Sequence, residues 1–207
     1  MDIHPTALVE EGVLIGEGTR IWSHVHVRAP ARIGRECIVG EKSYVAYGVE
    51  IGDRVKINAF VYVCTGVVIE DGVMVSAGTI FTNDRHPRAT TPDLGRLLGS
   101  EPDEATAGAT VRAGATLGAG SLVGPGVEIG GFAMVGMGAL VTRDVPAFHL
   151  VVGRPARSVG VVCRCGRPLI RFEPGEAPAE KALHCATCDE AYSFTAGLVE
   201  RHGSEES

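Results

Sequence analysis

Four of the six cysteines cluster near the carboxy terminus, as Cys163-x-Cys165, nineteen intervening residues, then Cys185-x-x-Cys188. Two thiol pairs at the ends of a hairpin have the makings of a tetrahedral zinc site, and four thiolates leave no open position for a substrate. The expected role is structural. Elsewhere the residues able to do chemistry are sparse. The chain holds 7 histidines, among them His24 and His26, whose imidazoles titrate near neutral pH and can hold or move a proton. Asn83-Asp84 opens a polar stretch that also carries Arg88. A guanidinium of that kind grips a diphosphate or a carboxylate through two parallel hydrogen bonds. Cys37 and Cys64 stand alone among aliphatic residues and are expected to pack as small apolar groups.

These groups need a scaffold, and its signature is a period of six. From Ile3 to Phe81 every sixth residue is aliphatic or Phe, fourteen positions in succession. The steps at Pro87, Asp93, Gly99 and Ala105 break the rule, and Val111, Leu117, Val123, Ile129, Val135 and Val141 restore it in the same register. A helix needs a period near 3.6 and a simple strand a period of two. Six fits a short strand plus a corner, repeated around a three-sided prism with eighteen residues to the coil. Small or β-branched residues at the corners (Ala7, Thr19, Ala31, Ser43) let the chain turn, and stacked coils bury the aliphatic side chains in ladders. Twenty hexads make six to seven coils, a prism roughly 30 Å tall at strand spacing. The 28 glycines and 11 prolines then read as turn residues between short strands.

The expected organisation is an all-β chain: a hexapeptide prism over residues 1–146 with an inserted loop at 83–110, a linker at 147–160, a zinc-ribbon-like segment at 161–195 and a polar tail at 196–207. The loop is expected to project, where it could cover a site on a neighbouring subunit. Residues eighteen apart stack, which puts Leu8, His26, Tyr44, Tyr62 and Ile80 in one column and Thr6, His24, Lys42, Phe60 and Gly78 in another. Facing outward, such a strip suits a subunit interface or a base-stacking groove. Nineteen Lys and Arg against 25 Asp and Glu give a net charge of -6, which argues against nucleic acid and anionic membranes as partners. No apolar run reaches membrane-spanning length, and Met1-Asp2-Ile3-His4-Pro5 lacks the basic-then-apolar order of a secretory signal. A soluble cytoplasmic protein is expected.

The hexapeptide signature resembles that of the left-handed parallel β-helix acyltransferases, and the hand of the prism is implied by that resemblance alone. Within residues 1 to 165 the resemblance narrows. The runs Ile21-Trp22-Ser23-His24-Val25-His26-Val27, Val67-Val68-Ile69-Glu70-Asp71-Gly72-Val73, Phe81-Thr82-Asn83-Asp84, Pro87-Arg88-Ala89, Gly114-Ala115-Thr116-Leu117-Gly118 and Val161-Val162-Cys163-Arg164-Cys165-Gly166 are similar to those of the nucleotide-sugar 3-N-acetyltransferases. Those enzymes acetylate the 3-amino group of UDP-linked aminoglucuronic acids or dTDP-linked amino deoxyhexoses made for surface polysaccharides. Lys56-Ile57-Asn58-Ala59-Phe60 departs from the Lys, Ile or Val, Gln, Asn, Asn of relatives acting on UDP-glucuronates, which leaves nucleotide and sugar open.

The resemblance implies acetyl-CoA as co-substrate, a homotrimer and sites between adjacent prisms. It places Asn83 at the reacting amine, where an amide positions the nucleophile without acting as a base. Asp84 would help bind the amine or the loop, and His26 is the candidate base. His24, Asn58 and Arg88 are candidates for the nucleotide sugar. Acetyl-CoA is expected along the carboxy-terminal coils, at Gly136, Gly138, Arg143 and Arg154, chosen by location and charge. Amide formation from a thioester needs no metal and no covalent enzyme intermediate. Three other readings stay open: O-acetylation of a sugar or small molecule, a γ-class carbonic anhydrase and a noncatalytic scaffold. The anhydrase reading is weakened because no two histidines show the five-residue spacing of its metal ligands.

Overall fold

The computed structural model describes residues 1–202. Two-residue strands follow one another around the prism, from β1 (Asp2–Ile3) to β20 (Leu140–Val141). β1 to β17 each pair in parallel with the strand three places on, so Ile21, Val39, Ile57 and Val75 stack in register. The chain is the expected all-β parallel solenoid. Its three faces are sheets of ten, seven and six strands, called A, B and C here, which begin at β1, β2 (Leu8–Val9) and β3 (Leu14–Ile15).

The second residue of each strand points inward. Val27, Val39, Val63, Ile57 and Val75 are fully buried, and each contributes about 1.5–3 kcal/mol by leaving water. They are buried against the same positions of the coils above and below, so one coil alone has no core. Corners end in a residue at positive φ. Gly78 adopts φ 70° freely, whereas His24, Lys42 and Phe60 hold 57°, 57° and 59° at the same corner and carry roughly 1–2 kcal/mol of steric cost each. Stacking sustains them: the Lys42, Phe60 and Gly78 amides donate to Ser23, Glu41 and Ala59 carbonyls of the preceding coil, each at 3.0 Å. Buried hydroxyls serve the corners as well. Thr19 Oγ1 donates to Gly34 O at 2.7 Å and accepts from Cys37 N at 3.0 Å, and Ser43 does the same for Asn58 O and Val61 N. Small polar residues occur there because they satisfy backbone groups that a turn leaves unpaired.

The insertion does not disturb the stack. β14 (Ile80–Phe81) pairs directly with β17 (Leu122–Val123), and Ala107 N–H donates to Asn83 O at 2.8 Å, closing the base of the loop. β15 (Thr110–Val111) then resumes the prism.

Past Val145 the structure differs from the sequence-based expectation. Residues 147–160 are not a linker. β21 (His149–Gly153) stacks on β19 (Met134–Val135) as a further rung of face A, and β22 (Ala156–Val162) folds back antiparallel on it. Leu150 and Val151 are buried there, so apolar content without the hexad period still extends the prism. β23 (Pro168–Arg171) adds to the same sheet, and β24 (Glu180–His184), β25 (Ala191–Thr195) and β26 (Leu198–His202) form a separate antiparallel sheet of three strands. The tail expected from residue 196 is therefore a strand as far as His202, and its remainder, 203–207, lies outside the described residues. Ala196 and Gly197 both take positive φ, 52° and 83°, as a two-residue hairpin turn requires. Ala-Gly is a weak signal for such a turn, which hid the last strand. Among the described residues no helix is long and apolar enough to cross a membrane.

Candidate active site and candidate metal centre

Asn83 sits where face B turns toward face C, at the mouth of the loop. Just before it, Thr82 Oγ1 donates to Val123 O at 3.0 Å. Its own Nδ2 donates to Thr65 O at 3.0 Å, eighteen residues back. Both amide protons lie on Nδ2, so this bond fixes the side chain and turns Oδ1 into an acceptor without a protein partner among the described residues. Asp84 bridges to Thr106 across the loop base, and its Oδ1 accepts from His86 N at 2.7 Å. A cavity of about 150 Å³ opens beside the pair, lined by Tyr47, Thr65, Asn83, Asp84, Asp103 and Thr106 among others. Tyr47 Oη donates to Ser100 O at 3.3 Å, and the Arg28 guanidinium lies 5.3 Å over the Tyr47 ring. Sequence reasoning missed Tyr47 and Thr65 as lining residues. The signal was present, since 47, 65 and 83 are one coil apart.

Register also relates the other candidates. Phe81, Val123 and Val141 stack, so Arg143 occupies the corner of Asn83 two coils on, about 10 Å along the axis. His26 is elsewhere. It stacks with Tyr44, Tyr62 and Ile80 on face B, three strand spacings or about 14 Å from the level of Asn83. Its Nε2 bonds Glu10 Oε1 at 3.0 Å and its ring stands edge-on to Tyr44, which is stacked on Tyr62 at 5.4 Å. Glu10 is held below the usual carboxylate range by the Ala29 amide first, then by His26 and Arg28. His24 occupies a left-handed corner and its amide donates to Thr6 Oγ1. Asn58 and Gly136 share the corner between faces A and B, because Ile57, Val75, Leu117 and Val135 stack just before them. A side chain at Gly136 would run into Val152 Cγ1, whereas Gly138, at φ 66°, has nothing within 4 Å of where a Cβ would stand. Arg154 is exposed in the turn between β21 and β22, and Arg88 is exposed with one guanidinium nitrogen on Pro87 O. One chain thus unites Asn83 and Asp84, aligns Arg143 with them, and distributes the rest over face B, the A–B corner, the inserted loop (Arg88) and the β21–β22 turn (Arg154). Cys37 and Cys64 are buried in the prism, and burial pushes the Cys64 thiol up to about 11, which leaves it without nucleophilic thiolate at neutral pH.

The four clustered cysteines come together. All their Sγ atoms lie within 4.8 Å of one another, with Cys163 and Cys188 at 3.3 Å and Cys165 and Cys185 at 3.6 Å. Zinc–sulfur bonds of about 2.3 Å at tetrahedral angles set sulfurs about 3.8 Å apart, so the set fits that ion. Each pair rides on a tight turn: Gly166 N donates to Cys163 O at 2.8 Å, and Asp189 N to Cys185 O at 2.9 Å. Amides of Thr187 and Cys188 pull the Cys185 thiol down to about 6, whereas its thiol neighbours push Cys188 up, so the thiols lose their protons as one interacting set. Tyr192 Oη accepts from Arg164 N at 3.1 Å, which directs its own proton to Cys163 Sγ, also at 3.1 Å. No histidine among the described residues joins this group.

Comparison with known proteins agrees with this architecture. A family model for the bacterial transferase hexapeptide (six repeats) matches residues 3–47 and 48–83, and one for the hexapeptide repeat of succinyl-transferase matches residues 105–143. The chain is 35% identical over 199 residues to the dTDP-3-amino-3,6-dideoxy-alpha-D-galactopyranose 3-N-acetyltransferase of Aneurinibacillus thermoaerophilus, covering 95% of this chain and 93% of that one. It is 27% identical over 185 residues to the bifunctional protein GlmU of Heliobacterium modesticaldum, covering 73% of this chain but only 36% of that longer protein. A hexapeptide transferase family protein from Anaplasma phagocytophilum superimposes with a TM-score of 0.51 at 19% identity, over 78% of this chain and 79% of that one, a likeness of fold. With its hexad prism, its inserted loop and a relative matched almost end to end, the chain belongs to the hexapeptide-repeat acyltransferase family.

Proposed function

We propose that the protein transfers acetyl from acetyl-CoA to the 3-amino group of a nucleotide-linked amino sugar. The observation that carries this reading is Asn83, pinned through Nδ2 to Thr65 O at a cavity mouth with Oδ1 left to accept. The end-to-end similarity to the Aneurinibacillus 3-N-acetyltransferase supports it. An amine that donates one N–H to Oδ1 keeps its lone pair free to attack the thioester carbonyl. The carbon–nitrogen bond forms, the carbon–sulfur bond breaks, and the thiolate of CoA departs. The nitrogen loses one proton, which the leaving thiolate can take, with Asp84 beside the cavity as an alternative acceptor. Arg143, two coils along the same corner, is suited to phosphate groups of the co-substrate.

The outward stripe of face B supports a homotrimer. Leu8, Tyr62 and Ile80 are 57%, 44% and 40% exposed and stack in one column, an apolar band that a neighbouring prism would cover. Assembly would also bring His26 and Glu10 of one subunit toward a corner of the next, where the imidazole could serve as base. The number and spacing of the four cysteines and the tyrosine hydrogen bond to Cys163 support a structural zinc there. Acetyl-CoA and sugar nucleotides are cytoplasmic metabolites, so that compartment is proposed for the reaction.

The test is thiol release from acetyl-CoA with a panel of dTDP- and UDP-linked 3-amino sugars. Release with one nucleotide class, lost in Asn83→Ala, is expected. Silence across the panel from a folded protein that binds no CoA would overturn the proposal.

A further inference from the structure

A solenoid buries each coil against its neighbours and so leaves two apolar ends. At the amino-terminal end the inward residues stay open: Ile3 is 38% exposed, and Val9 and Ile15 are half-buried. The carboxy-terminal end is covered. Phe132 and Phe148, at left-handed corners, stack at 5.4 Å, Tyr192 meets Phe148 edge-on at 5.5 Å, and Arg164 lies 5.6 Å over Phe132. His149 bonds Gly197 O at 2.9 Å through Nε2, tying the last hairpin turn to β21. Gly166 packs near Met134 Cε. The covering segment has a small core of its own, Val161, Cys163, Leu183, Cys185, Tyr192 and Phe194, in which two of the six side chains are thiols of the metal set. Segments of about 40 residues rarely fold on so little apolar burial without a metal or disulfides.

We propose that a metal held by Cys163, Cys165, Cys185 and Cys188 folds residues 161–202 into a cap, and that this cap braces the last coil of the prism, so that metal occupancy governs the acetyl-CoA end of the site. Transmission runs from the thiolate of Cys163 to the Tyr192 hydroxyl, then through Phe148 to Phe132. In parallel β22, which ends one residue before Cys163, pairs with β21, whose Val152 packs on Gly136. Only the last clause of the proposal rests on the acetyl-transfer reading.

The experiment measures zinc content, hydrogen exchange by mass spectrometry and CoA binding by calorimetry, on the full chain before and after chelation under reducing conditions. One zinc per chain is expected. Chelation should remove exchange protection from 161–202 and from 132–153, leave residues 19–81 unchanged, and weaken CoA binding at least tenfold. Phe148→Leu, which leaves all four thiols in place, should retain zinc yet lose protection at 132–135. Protein without zinc, or with the thiols paired as disulfides, overturns the metal site. Zinc present with changes confined to 161–202 overturns the brace. Protection lost as expected in a metal-loaded protein that never binds CoA overturns the link to acetyl transfer and leaves the brace standing.

Discussion

The prism and the cap reach stability by opposite routes. In the prism each inward side chain is buried by the equivalent residue of the next coil, and one core runs continuously from Ile21 to Val151. The cap has seven buried side chains, and two of them are cysteines. A repeat adds core with every coil, whereas a short appendage has to import its stability through a metal or through docking. Damage to the prism should therefore be graded and damage to the cap all-or-none.

The sharpest way to break that contrast is Cys185→Ser. Structural zinc contributes on the order of 10 kcal/mol to the folding of small modules, far more than a cap of this size holds in reserve. Zinc should be absent and protection of 161–202 lost, while β-structure measured by circular dichroism changes only by the cap's share. A cap that stays folded without zinc would put it on the same footing as the prism.

Ile57→Ala tests the other half. Ile57 is fully buried with coils on both sides, and such truncations cost about 2–5 kcal/mol. Chemical denaturation should show that loss with zinc content unchanged. Asn83→Ala should separate function from both forms of stability: kcat falls about 100-fold, roughly 2.7 kcal/mol in the transition state, and Tm shifts by little, because the side chain is only half-buried.

The prism was legible because its physics repeats. A six-residue period fits a strand-and-corner prism and neither a helix nor a simple strand, and the failure at Pro87 through Ala105 located the loop within a few residues. Asn83 was singled out through the resemblance carried by Phe81-Thr82-Asn83-Asp84 and not by its type, whereas Tyr47 and Thr65 line the same cavity through stacking, and neither is unusual in its own hexad. The cap was half-legible: four cysteines marked the thiol cluster, yet β21 and β22 carry no hexad period and β26 turns on Ala196-Gly197. Register explains the scatter of the other candidates too. His26 falls on face B and Asn58 at the A–B corner, both apart from Asn83 at the B–C corner.

The smallest expected effect concerns the joint between the two regions. His149 is buried, with Nδ1 2.7 Å from Ser158 Oγ and Nε2 2.9 Å from Gly197 O. A carbonyl only accepts, so Nε2 carries the proton and Nδ1 accepts from the serine in the neutral imidazole. Burial lowers its pKa from the ordinary 6.5, against a weaker raising effect of the Gly197 carbonyl. The unfolded or undocked chain therefore binds a proton first. Stability from this contact is complete above the undocked pKa and is lost as pH falls below about 6.5, by at most about 1.4 kcal/mol per pH unit. Exchange at the 195–198 turn should accelerate in acid before any coil of the prism responds. His149→Gln presents one donor and one acceptor but does not titrate, so it should flatten that dependence; an equally steep profile in the variant would assign the acid sensitivity to the cysteine cluster, and the joint would then be no weaker in acid than that cluster.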